Sequence, residues 1–277
     1  MLTRERSSDR VLTLTLAAPE RRNALDYRAV RELLDALLEA DADPEVGAVL
    51  LRAEGSVFSA GANLREFQAE LASSATDFYE SGAVWEELFT RVPDLGTPLV
   101  IAVQGPARAG AVGVVALGDL VLASPSADFS LSEIKIGLFP IMVLPMVMRV
   151  VGVRAAQELS LTGRVIDAEE AARIGLVTRV VAADELIDQA HAAAAELAAS
   201  APHAMAYGRR LIARLADLPY EQAVHHARTM RGTFLHTPDI HEGVAAFLEK
   251  RAPDWHASAP TPAPTPYPAP APEEDPT

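Results

Sequence analysis

Three short runs constrain the fold of this chain more than any other feature: Ala48 to Arg52, Leu99 to Val103 and Asp119 to Ala123. Each has the length of a strand and is too short for a buried helix. Their apolar residues fall on both alternating faces, so only a sheet covered on both sides can use them. Earlier, Val11 to Leu16 sets three leucines on one face with β-branched residues between, and Pro19 ends that strand. Asp26 can then cap a helix whose Val30, Leu33, Leu34, Leu37 and Leu38 recur at helical spacing before Pro44. Phe78, Trp85, Leu88, Phe89 and Val92 share another helical face before Pro93, and Ala155 to Leu161 reads as a helix ended by Gly163. Strand and helix alternate, which predicts an α/β architecture.

After Val181 the character changes. Asp184 to Ser200, His203 to Leu215, Tyr220 to Leu235 and Asp239 to Lys250 are helical in composition and separated by prolines. Beyond Trp255 alternating prolines favour extended conformations and cannot bury a core. The expected division is a core over 1–196, a helical subdomain over 197–256 and a disordered tail over 257–277.

Charge and composition remove whole classes of function. Of 277 residues, 24 are Lys or Arg and 38 Asp or Glu, so a net charge of −14 repels a phosphate backbone and argues against nucleic acid. The absence of cysteine excludes disulfides, thiol nucleophiles and thiolate metal sites. Met1 to Arg10 is charged and carries no secretory apolar region, which points to the cytoplasm. The most apolar window, Leu138 to Val153, contains Pro140, Pro145, Arg149 and Gly152 and falls short of the roughly 20 residues a membrane span needs. It reads as core or pocket wall.

Two turns of small residues could carry chemistry. Phe58 to Phe67 and Gln104 to Gly113 each follow a strand and open a helix. Small side chains let a ligand reach the backbone, and N–H groups at a helix start are natural donors to negative charge. Ala62 and Gly110 could aim such donors at one carbonyl oxygen, forming an oxyanion hole.

With these turns in view, the chain resembles the crotonase, or enoyl-CoA hydratase/isomerase, superfamily. The matching segments, in order, are Pro19 to Leu25, Phe58 to Phe67, Gly105 to Gly113, Phe129 to Pro140, Leu161 to Gly163, Ala171 to Val177 and Glu242 to Arg251. The resemblance implies a ββα spiral core with a trimerising helical C-terminus, a homotrimer or dimer of trimers, and a coenzyme A thioester as substrate. It implies that Ala62 and Gly110 hold the thioester enolate and that Glu133 moves the proton. Substrate contacts are expected at Arg22, Ala60, Asn63 and Arg65, an acyl pocket at Leu64, Phe67, Trp85, Phe89, Leu138, Phe139 and Met142, and adenine-end contacts from Phe247 and Lys250 of a neighbouring subunit. No metal or redox cofactor is expected beyond the coenzyme A of the substrate.

This chain also departs from the pattern. The hydratases carry two glutamates; the first maps onto Gly113, and only Glu133 remains as acid or base. The loop after Pro140 reads Ile141-Met142-Val143-Leu144 where the hydratases are Gly-rich, and Asn63 replaces an aspartate. Hydration of a 2-enoyl-CoA is the first expectation, with a 3-enoyl to 2-enoyl shift on Glu133 alone as the alternative and a catalytically silent acyl-CoA binder as the third. Arg108 beside the second turn could meet a substrate anion or form a salt bridge, and Asp119 at a strand start reads as structural. His225, His226, His236 and His241 match no zinc spacing and read as surface residues.

Overall fold

The computed structural model describes residues 1–72, 74, 76 and 80–255. The Pro-rich stretch expected as a tail, and Phe78 of the expected helical face, lie outside the described residues. Strands β1 (Leu2–Arg6), β2 (Val11–Leu16), β3 (Ala48–Ala53), β4 (Leu99–Val103), β6 (Leu120–Ala123) and β9 (Arg179–Val180) form one sheet in the order β1-β2-β3-β4-β6-β9. β1 lies antiparallel on β2, and every later neighbour is parallel. A second sheet joins β5 (Ala107–Arg108), β7 (Asp128–Ser130) and β8 (Ile166–Asp167) in the order β5-β7-β8.

The apolar runs are continuous because the large sheet is buried on both faces. On one face Leu14, Leu16, Val49, Leu51 and Ile101 meet Leu33, Leu34 and Leu37 of α1 (Tyr27–Ala42) in the main core. Asp26 caps α1 by accepting the Ala29 N–H at 2.8 Å. On the other face Val11, Ala48, Leu50, Val100, Ala102 and Leu122 pack against Leu186, Ala190, Ala194 and Ala198 of α7 (Leu186–Ala198). Alanines let α7 lie close to the sheet.

Between them run α2 (Leu64–Glu70), α3 (Ala83–Arg91), α4 (Gly110–Ala116), α5 (Leu144–Thr162) and α6 (Ala168–Arg173). The helix expected over Ala155 to Leu161 is the second half of α5, which breaks at Gly152 (φ 76°, ψ 163°) and ends at Gly163 in the left-handed region. The window Leu138 to Val153 divides: Val143 and Val147 are buried, whereas Ile141 and Met142 are exposed. Among the described residues no helix is long and apolar enough to cross a membrane.

Helices α8 (Pro202–Leu215), α9 (Tyr220–Leu235) and α10 (Pro238–Glu249) follow. Arg209 of α8 docks this layer: its guanidinium pairs with Asp119 at 2.7 Å and donates to the Val92 carbonyl at 2.9 Å. Asp119 in turn accepts the Leu99 N–H at 2.7 Å, so it is a structural tie as its position suggested. Asp239 of α10 caps α8, accepting the N–H groups of His203 and Ala204 at 2.8 and 3.0 Å.

One buried amide joins the elements beneath the small-residue turns. Asn23 is fully buried; its Oδ1 accepts the Ala18 N–H, and its Nδ2 donates to the Glu54 and Val57 carbonyls, all at 2.9 Å. Its φ of 51° lies in the left-handed region, which Asn tolerates better than most residues. Asn23→Ala leaves three backbone groups unpaired and is expected to cost about 3 kcal/mol or more, read from urea denaturation; a variant of unchanged stability shows that the amide does not hold this junction.

Candidate active site

Three parallel runs deliver the candidate groups to one edge. Ser59 pairs with Ala107, and Ala107 with Phe129, all in parallel. The Ser59 N–H donates to the Pro106 carbonyl at 3.3 Å, the Arg108 N–H to the Ser59 carbonyl at 3.1 Å, and the Ala109 N–H to the Ser130 carbonyl at 2.9 Å. Ala62 stands three residues beyond Ser59, Gly110 three beyond Ala107, and Glu133 four beyond Phe129. Offsets of three or four residues beyond paired positions bring all three to the same end of the runs.

The first turn is shaped by its backbone bonds. The Leu25 N–H donates to the Gly61 carbonyl at 2.8 Å and the Asn63 N–H to the Leu25 carbonyl at 3.2 Å. In this parallel bridge the N–H of Ala62, between those residues, faces away from Leu25. The Ala60 N–H donates to the Arg22 carbonyl at 2.9 Å, and the buried Ser59 hydroxyl links the Gly61 N–H to the Asn23 carbonyl. Gly61 has φ 82°, and a Cβ there would collide with the Arg108 carbonyl oxygen. Only glycine lets the two turns touch.

In the second turn Ala109 adopts φ 50° and ψ −123°, a strained backbone for a residue with a side chain. It is held by its N–H bond to Ser130 and by the Val112 N–H, which donates to its carbonyl at 2.9 Å. Gly110 then opens α4, where an N–H has no earlier turn to bond. Among the described residues neither the Ala62 nor the Gly110 N–H donates to a protein acceptor. Arg108 forms an ion pair with Asp128 and donates to its carbonyl at 3.2 Å, which is the salt-bridge reading of that residue.

Glu133 lies in the 3-10 turn Ser132–Ile136, which ends at Gly137 (φ 80°). It is 9% exposed, and its Oε2 has no hydrogen-bond partner among the described residues. Burial without a compensating cation pushes its carboxyl above the ordinary 4.5. Such a group can hold or release a proton closer to neutrality than a surface glutamate.

The wall beside Gly110 and Gly113 is aromatic. A Cβ on Gly110 would stand 3.0 Å from the edge of Trp85, so glycine keeps the backbone against that ring. A Cβ on Gly113 would come within 2.6 Å of Val143 and 2.8 Å of Phe89. The space beside Gly113, where the resemblance implies a glutamate in the hydratases, is filled by two apolar side chains. Sequence reasoning did not single out Val143; a glycine facing an apolar loop was the signal available.

The other expected site residues divide into two groups. Arg22 and Ala60 belong to the first turn through their shared backbone bond, and Asn63 Oδ1 accepts the Arg65 N–H at 3.1 Å. Leu64 is exposed, Phe67 half-buried, and Leu138 and Phe139 are half-buried after the Glu133 turn. Met142 is exposed beside the buried Val143. Phe247 and Lys250 stand at the exposed end of α10, on the helical layer and not at the turns. Among the described residues no three His, Asp or Glu side chains are grouped to hold a metal ion, and His225 and His226 line a groove beside Arg214 of α8.

Comparison with known proteins bears on this geometry. Residues 6–258 match the family described as Enoyl-CoA hydratase/isomerase. A Thermus thermophilus protein provisionally named an enoyl-CoA hydratase is 37% identical over 243 residues, covering 88% of this chain and 96% of its own. The 2,3-dehydroadipyl-CoA hydratase of Escherichia coli is 30% identical, covering 89% and 95%. The crystal structure of an enoyl-CoA hydratase from Mycobacterium smegmatis superposes with a TM-score of 0.87 at 35% identity, covering 92% of this chain and 98% of that one. The family match, the identities and the shared fold agree: the chain belongs to the enoyl-CoA hydratase/isomerase, or crotonase, family.

Proposed function

We propose that this protein acts on an acyl-CoA thioester, holding the enolate oxygen on the Ala62 and Gly110 N–H groups while Glu133 moves a proton as the sole carboxylate. The observation that carries this is the contact of Phe89 and Val143 over Gly113, which leaves one buried acid and an apolar surface where a second acid would position water. A shift of the double bond from C3 to C2 needs nothing more. Glu133 takes a proton from C2, the developing oxyanion is stabilised by the two donors, and the same carboxyl returns the proton to C4. Hydration of a 2-enoyl-CoA is the second reading, favoured by the names of the relatives; it asks Glu133 both to activate water and to protonate C2.

Mass spectrometry in deuterated water separates them. A 3-enoyl-CoA converted without gain of water, with deuterium exchange, supports the shift; a gain of one water from a 2-enoyl-CoA supports hydration. Binding without turnover of either leaves the silent binder. Glu133→Gln keeps the shape but cannot carry the proton, so turnover should fall about a hundredfold or more. Survival of activity within a few fold sinks the assignment.

The raised carboxyl also makes a pH prediction. Its folded value lies above its unfolded value, so its contribution to stability is fully present below the unfolded value and is lost as pH rises through the folded one. Glu133→Gln should therefore be more stable than the wild type at neutral pH, and the difference should vanish in acid. Activity that needs the carboxylate should rise with pH through a value above 4.5. Equal stability at neutral pH would show that burial does not penalise the charge.

A homotrimer or dimer of trimers belongs to the same reading. Supporting it, α9 has no buried residue and exposes Tyr220, Val224 and Leu235, and α10 exposes Val244, Phe247 and Leu248. Light scattering at micromolar concentration should give a multiple of three; a monomer overturns it. In the assembly Lys250 would meet the 3′-phosphate of coenzyme A, so Lys250→Ala should reduce the preference for coenzyme A over its dephospho form.

A further inference from the structure

The strain in the second turn comes with a single methyl group. Ala109 stands at φ 50° and ψ −123°, a region that glycine enters freely and a residue with a Cβ does not. At the corresponding place before Ala62 the chain does use glycine, and Gly61 has φ 82°. A glycine at 109 would keep both backbone bonds that pin the second turn, from the Ala109 N–H to the Ser130 carbonyl and from the Val112 N–H to the Ala109 carbonyl. It would lose the methyl and nothing else.

That methyl lies between the two turns. It is 3.0 Å from where a Cβ on Gly61 would stand, next to the Arg108 carbonyl oxygen, so it faces the residue that precedes Ala62. On its own side, ψ of Ala109 sets the plane of the peptide that carries the Gly110 N–H. Rotating ψ from −123° to ordinary helical or extended values would turn that N–H by about 80° or 100°. Without the methyl, residue 109 gains the wide conformational range of glycine and Gly61 loses the surface it rests on. One deletion would therefore loosen both donor peptides.

We infer that Ala109 is a positioning residue: its methyl, held on a strained backbone, spaces the first turn from the second and fixes the direction of the Gly110 N–H. The inference rests on the acyl-CoA reading above, which needs the two N–H groups and asks nothing of Ala109. Two ligands that require no turnover read the donors: a saturated acyl-CoA, and the S-alkyl-CoA in which a methylene replaces its carbonyl. In calorimetry the wild type should prefer the thioester. Ala109→Gly should lower that preference about threefold or more while binding the S-alkyl-CoA as the wild type does. Exchange of the C2 hydrogens of the saturated thioester in deuterated water, read by mass spectrometry, should slow about tenfold or more. Urea denaturation separates this from damage, because relief of the positive φ should leave Ala109→Gly at least as stable as the wild type. Ala109→Ser, which keeps a Cβ, should recover most of both the preference and the exchange. A glycine variant that matches the wild type in preference and exchange overturns the role of Ala109 alone, and so does a serine variant as impaired as the glycine one. Loss of stability in Ala109→Gly overturns the strain on which the inference stands. A wild type that binds both ligands equally and exchanges no hydrogen overturns the acyl-CoA reading together with this inference.

Discussion

The site depends on the parallel pairing of Ser59, Ala107 and Phe129. Backbone bonds between those runs set how far each chain travels before it turns, so the spacing of Ala62, Gly110 and Glu133 is a matter of register and not of side-chain packing. A slip of one residue in any run would rotate the group at its end away from the others. Everything around the turns serves that register. Asn23 ties Ala18, at the end of β2, to Glu54 and Val57, Gly61 permits contact with the second turn, and the strained Ala109 is fixed by its bond to Ser130.

Against this rigid frame, the proposed chemistry rests on a single carboxyl whose burial desolvates it. The chain is strongly acidic, yet Glu133 is the carboxyl whose burial raises its affinity for protons; the salt-bridged Glu32, Glu87, Glu170 and Glu242 are all held lower by their partners. Desolvation costs stability at neutral pH, and in the proposed function that cost is retained because the proton is used. Gly113 belongs to the same economy of space. Its missing side chain admits Phe89 and Val143, which occupy the space a Cβ there would need.

Most of the scaffold was legible because it rests on local signals. Asp26 caps its helix from three residues away, Leu99 to Val103 is a strand at its expected bounds, and Gly163 stops α5. β1 was not legible: Leu2–Arg6 is an edge strand with exposed side chains, so it carries no apolar run. The second sheet escaped notice because its strands are two or three residues long and exist only through pairing with one another. At the site, the turns could be read from small residues after strands. Asn23 as a junction, Arg209 as a tie to Asp119, and Asp239 as a cap for α8 are long-range events, joining residues 31, 90 and 36 positions apart, and local pattern does not encode them.

The helical layer shows what happens when burial within one chain runs short. α7 is amphipathic against the sheet and buries five of its residues, whereas α8 buries only Tyr207 and α9 none. A helix of 16 residues gains little from propensity alone, so α9 must draw stability from surfaces beyond its own packing. One tie to the layer is the edge-on contact of Phe234 with Tyr207 at 5.9 Å. Exposed apolar residues also flank the catalytic candidate: Ile134 and Ile136 beside Glu133, with Leu161 and Val165 on and just after the last turn of α5. Covering that patch would remove further water from the Glu133 turn and strengthen the desolvation that already lifts its carboxyl. Were that patch part of the proposed assembly, the apolar burial that gathers the subunits would at the same time desolvate the acid.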